Sequence, residues 1–135
     1  MKGENIKERT KDFAIRVLNM ASSIPKDFAS QNISRQIVRS ATSAGANYRA
    51  ACRSKSRKDF VNKLKIVEEE LDETNYWLEL IEESNFFPKE RISPLIGENN
   101  ELLSIIVKSI QTAKEKGVTG NKGMTNKRMT NPGMK

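Results

Sequence analysis

At 135 residues and a formal net charge of +7, the chain is long enough for one domain with a sizeable core and too short for two. It has no histidine and a single cysteine, Cys52. That excludes Ser-His-Asp and Cys-His catalysis, histidine metal ligation, thiolate zinc clusters and an intramolecular disulfide. A lone cysteine suits a reducing compartment, and Cys52 is expected to be a small buried residue.

Charge is spread unevenly. Residues 1–65 hold 15 Lys/Arg against 5 Asp/Glu, residues 66–116 hold 5 against 12, and residues 117–135 hold 4 against none. A basic half beside an acidic half points to an anionic partner or to self-association through complementary surfaces. With a mean hydropathy of −0.64 and no run of ~18 apolar residues, nothing is built to span a bilayer. The charged start MKGENIKERTKDF offers no signal-peptide core, so a cytoplasmic protein is expected.

Apolar residues recur at helical steps throughout residues 5–116, and no alternating strand pattern occurs. The first predicted helix runs from about Asn5 to Ser23, its stripe made by Ile6, Phe13, Val17, Met20, Ala21 and Ile24, with Pro25 as terminator. Residues 25–30 read as a loop anchored by Phe28. The second helix runs from about Asn32 to Arg53 with a face of small residues (Ala41, Ala44, Ala51, Cys52) beside Ile37 and Tyr48. Gly45 sits mid-helix at a cost of roughly 1 kcal/mol against alanine, which fits a close neighbouring backbone.

The third helix follows Ser54-Lys55 and runs to about Ser84, opened by the capping-box spacing Ser56-Arg-Lys-Asp59. Its core stripe is Phe60, Leu64, Val67, Leu71, Leu78 and Ile81. Ile66, Tyr76, Trp77 and Leu80 fall on another side, and one bundle cannot cover both. These four are expected at an interface with a second protomer. Asn85-Phe-Phe-Pro88 breaks the chain, and a fourth helix runs from about Lys89 to Lys116, with Gly117 as the expected stop.

The predicted organisation is an all-α, antiparallel up-down-up-down four-helix bundle over residues 1–116, followed by a disordered basic tail over 117–135. The tail repeats every five residues: Asn121-Lys-Gly-Met-Thr125, Asn126-Lys-Arg-Met-Thr130, Asn131-Pro-Gly-Met-Lys135. That period matches neither helix nor strand.

The clearest functional pattern is a row of arginines on the second helix. At about 100° per residue, Arg35, Arg39, Arg49, Arg53 and, if the helix continues, Arg57 fall within about 80° of one another and away from the apolar face, over a length of about 33 Å. Guanidinium forks match phosphate, and such a row tracks a nucleic-acid backbone without reading sequence. The alternative is pairing with the acidic run Glu68–Glu73 of a neighbouring protomer. Residues 31–65 contain nine basic groups and one acid, Asp59, so local pairing cannot neutralise the row. The acidic run itself lacks the Glu-x-x-His partners of di-metal bundles, so no metal or other cofactor is expected, nor is there a glycine-rich phosphate loop.

The stretch Ser40-Ala-Thr-Ser-Ala-Gly-Ala-Asn-Tyr-Arg-Ala-Ala-Cys-Arg-Ser-Lys-Ser-Arg-Lys-Asp-Phe60 and its continuation Lys63–Leu80, above all Gly45-Ala-Asn47-Tyr48-Arg49 and Tyr76-Trp77-Leu78, resemble the bacterial four-helix-bundle proteins of the 23S rRNA-intervening-sequence family. The similarity covers about residues 5–115. It implies a ring-forming bundle, typically a homopentamer, without catalytic activity. A relative of that family, the accessory protein of diversity-generating retroelements, is a basic pentameric barrel that binds nucleic acid and a reverse transcriptase. Many members carry Asn-x-x-Glu-Gly where this chain has Asn47-Tyr-Arg-Ala50-Ala51, so no role resting on that glutamate is carried over. Taken together, the sequence reads as a non-enzymatic, homo-oligomeric accessory factor binding RNA or DNA through its arginine face, or else as an interaction scaffold whose charges serve only assembly.

Overall fold

The computed structural model describes residues 6–120, with side chains described to residue 116. Among the described residues four helices follow in order: α1 (Ile6–Ala21), α2 (Phe28–Cys52), α3 (Arg57–Glu83) and α4 (Lys89–Gly120). Each packs on its sequence neighbour and α4 closes against α1. Short connectors make each successive pair antiparallel, which gives the up-down-up-down bundle.

The stripes that periodicity picks out meet in one core. Phe13, Val17, Ile37, Leu64, Leu71, Leu78, Leu102 and Ile106 are fully buried, each contributing roughly 1.5–3 kcal/mol. Ala41, Ala44 and Ala51 are buried on α2, and their small side chains let the neighbouring helices approach. Next to Gly45, a Cβ would lie 3.5 Å from the Thr10 carbonyl oxygen of α1. The α1 backbone does come close there, but at ordinary contact distance.

Polar groups pin the packing at points that hydrophobic periodicity does not reveal. Ser40 and Thr74 share a buried hydroxyl contact of 2.7 Å between α2 and α3. Asn99 of α4 donates to the Leu71 carbonyl at 3.0 Å. Arg9 clamps α1 to α4 through a two-pronged bond to Glu98, 2.8 and 3.0 Å, with Glu101 at 3.4 Å.

The helix ends correct two sequence expectations. Residue 28 is not a loop anchor: α2 begins there, because Asp27 acts as its N-cap and accepts from the Ser30 N–H and hydroxyl, both at 2.9 Å. Those bonds hold the Asp27 carboxyl below its ordinary range, the backbone bond first. Phe28 is 88% exposed, and the buried residue of the connector is Ile24. At the other end, α4 runs through Gly117 to Gly120, so Gly117 is no stop. The repeats at 121–135 lie outside the described residues.

The α3 start follows the capping pattern in half. Ser56 accepts from the Asp59 N–H at 3.0 Å, while the Asp59 carboxylate turns to Lys63 at 3.2 Å. At the far end Asn85 takes the left-handed conformation (φ 57°) just past the Ser84 C-cap, a role that asparagine fills with little strain.

Candidate nucleic-acid interface

The structure divides the predicted arginine row. Arg35, Arg49 and Arg53 are exposed on α2 and its C-cap, and among the described residues none of them has a side-chain ion pair. Arg35 and Arg49 lie 14 residues apart, about 21 Å along the helix axis. Arg39 faces the seam with α3 instead, bonding Glu73 at 2.6 Å and Glu70 at 3.3 Å. The acidic run is therefore used partly within the same chain.

Arg57 leaves the row because α2 ends at Cys52 and the chain reverses before α3. Its Nε and the Ser54 hydroxyl are buried at that turn without a hydrogen-bond partner. The exposed Lys55 and Lys58 flank it, so the α2–α3 end of the bundle gathers five cations over residues 49–58, counting Arg49, Arg53, Lys55, Arg57 and Lys58.

The fold also recruits cations that the α2 pattern alone could not reveal. Lys7 and Lys11 of α1 border a groove of about 210 Å³ shared with Arg49, Thr42, Gly45 and Ala46 of α2. The one available sequence signal was their i,i+4 spacing on the side of α1 next to its apolar stripe. Nearby, Cys52 is half-buried. Burial pushes its thiol up, opposed by the Tyr48 hydroxyl and by the charges of Lys7 and Arg53. Burial likewise raises Tyr48, whose side chain is almost completely covered.

Of the expected interface residues, Ile66 is 39% and Tyr76 53% exposed. Trp77 and Leu80 are partly buried in the single chain. Trp77 donates its indole N–H to Glu73 at 3.1 Å and meets the Tyr76 ring edge-on at 5.0 Å. A second apolar group was not read from the sequence: Ile15 and Leu18, both 45% exposed, on α1. Their signal was their position off the α1 stripe.

Glu68, Glu69 and Asp72 line a separate groove with Lys65, Leu103 and Val107, about 340 Å³ between α3 and α4. Among the described residues no group of three or more acidic or thiol side chains is placed to hold a metal ion. None of the described helices is long and apolar enough to cross a membrane.

Comparison with known proteins agrees with this architecture. The 23S rRNA-intervening sequence protein model matches residues 4–108. A solved structure from Bacteroides thetaiotaomicron VPI-5482, a protein of unknown function from the S23 ribosomal protein family, is 35% identical. The match covers 78% of this chain and 97% of that one with a TM-score of 0.72. No curated protein matches. On the family match and the shared four-helix fold, the chain belongs to the 23S rRNA-intervening sequence protein family.

Proposed function

We propose that this protein is a non-catalytic, homo-oligomeric accessory factor that binds RNA or DNA along its phosphate backbone. The observation that carries the reading is the exposed set Arg35, Arg49 and Arg53 along α2 and its C-cap, without an acidic partner among the described residues. Unpaired guanidinium groups, with Arg35 and Arg49 about 21 Å apart along the helix and Arg53 about one turn beyond, suit separate phosphates of one backbone and give no means of reading bases. Self-association would multiply such rows around one assembly, and the exposed Ile66 and Tyr76 supply apolar surface for it. The resemblance adds a pentameric ring.

The scaffold reading has its own support, the Arg39 pairing with Glu70 and Glu73. The same pairing across protomers would serve assembly. Affinity for a poly-uridine strand and for a DNA duplex, measured at several salt concentrations, separates the two. In Arg35→Gln/Arg49→Gln/Arg53→Gln the slope of log K against log salt shrinks by about 0.7 per lost phosphate contact on single strands and about 0.9 on duplex, with the oligomer intact in sedimentation. An unchanged slope with a dissociated oligomer establishes the scaffold instead.

A further inference from the structure

We infer that the groove between α1 and α2, bordered by Lys7, Lys11 and Arg49, is a discrete seat for a single phosphate group. This rests on the nucleic-acid reading for its biological ligand, but its physical basis is separate. Two different helices deliver the three cations to one concavity of about 210 Å³, so the fold creates the cluster and no single-helix row does.

Lys7 and Lys11 are one turn apart on α1, a like-charge i,i+4 pair that works against the helix unless an anion lies between them. Glu8 and Asp12, the acids of that segment, are exposed at about 100° and 140° from Lys7 around the helix. Neither pairs with Lys7, Lys11 or Arg49 among the described residues. Arg9, the other cation of this turn, is turned away and used by Glu98.

The groove, about 210 Å³ and open to solvent, has room for a phosphate between the three cations. The floor is short-chained: Gly45 and Ala46 let the anion approach the α2 backbone. The Thr42 hydroxyl hydrogen is committed to the Val38 and Arg39 carbonyls, at 2.7 and 3.2 Å. Recognition therefore falls to the ammonium and guanidinium groups, which hold a phosphodiester or a free phosphate alike.

Two arms test this on the full-length protein. In the first, amide chemical shifts are followed during titration with inorganic phosphate. The expected result is a saturable change concentrated at Gly45, Ala46 and Arg49, lost in Lys7→Gln/Lys11→Gln and in Ala46→Leu. The second variant keeps every charge and plugs the floor. Small changes spread over all exposed cations, or binding that survives Ala46→Leu, overturn the seat.

In the second arm, poly-uridine affinity is measured against salt. Lys7→Gln/Lys11→Gln lowers the slope by about 0.7, the one phosphate contact that the seat holds. Full slope in that variant, together with no saturable phosphate response at the groove in the wild-type protein, removes the seat and leaves the proposed function standing. A phosphate response at the groove in a protein that binds no nucleic acid does the reverse and assigns the seat to free phosphate.

Discussion

Arg39 and Glu73 are joined at 2.6 Å across the α2–α3 seam, and the other carboxylate oxygen of Glu73 accepts the Trp77 indole N–H at 3.1 Å. One carboxylate thus ties a member of the arginine row to a member of the apolar face. Phosphate binding and ion pairing, alternatives for the row as a whole, are divided residue by residue: Arg39 pairs, while Arg35, Arg49 and Arg53 face solvent.

This relationship can be titrated. Arg39 first, then Trp77, holds the Glu73 carboxyl below its ordinary range. A depressed folded pKa contributes stability that is present above the unfolded value and is lost as the pH falls through the folded one. Because the Glu73 and Arg39 side chains are each more than a third exposed, the contribution is about 0.2–1 kcal/mol. Trp77 is the single tryptophan, so its emission reports the event. The acid midpoint should lie below the free glutamate value of about 4.3 and move up in Arg39→Gln. Equal midpoints in the two proteins would falsify the coupling.

The Ser40–Thr74 pair offers a test of core polarity. Thr74 donates to the Glu70 carbonyl at 2.8 Å, which leaves its oxygen to accept from Ser40 at 2.7 Å. Thr74→Val strands the Ser40 hydroxyl on a long 3.4 Å contact to the Ile37 carbonyl, at a cost of about 1–3 kcal/mol in urea unfolding. Adding Ser40→Ala should recover part of that loss. Strictly additive losses would mean that the two hydroxyls do not interact.

Two helix glycines are open to improvement. A Cβ at Gly45 meets nothing nearer than 3.5 Å, and one at Gly97 meets nothing within 4 Å. Each alanine substitution should stabilise by up to about 1 kcal/mol through helix propensity. At Gly45 a leucine should gain less than alanine, because the Thr10 carbonyl oxygen 3.5 Å from the Cβ leaves the longer side chain only the α1–α2 groove to enter. Thermal melts of Gly45→Ala, Gly45→Leu and Gly97→Ala check all three. A destabilised Gly45→Ala would show that α1 packs closer than this.

The assembly prediction concerns α3. Ile66→Glu with Tyr76→Glu places two charges on exposed apolar positions while the monomer core stays covered. The helical signal and melting of the protomer should persist, and sedimentation should show a monomer. A wild-type protein that is itself monomeric at micromolar concentration rejects the interface at once. An oligomer that withstands both charges moves it to another face, with Ile15 and Leu18 the next exposed pair.

The sequence by itself determined the four helices, the three breaks at Pro25, Ser54-Lys55 and Asn85–Pro88, and nearly every core position, because all of these follow from period and capping within one segment. The tertiary structure decided what no single segment contains. Ile24 fills the first connector and Phe28 stays outside, since Asp27 caps α2 earlier than periodicity implies. Arg57 leaves the row because α2 stops at Cys52, and α4 continues through Gly117, a residue that a helix tolerates. The partition of the arginines depended on how far α2 is rotated against its neighbours: the turn that brings Arg39 to Glu70 and Glu73 also sets Arg49 at the rim of the groove that Lys7 and Lys11 border. That rotation is set by packing, Ala41 and Ala44 against one side and Ser40 on Thr74 against another, and packing is a property of several helices together.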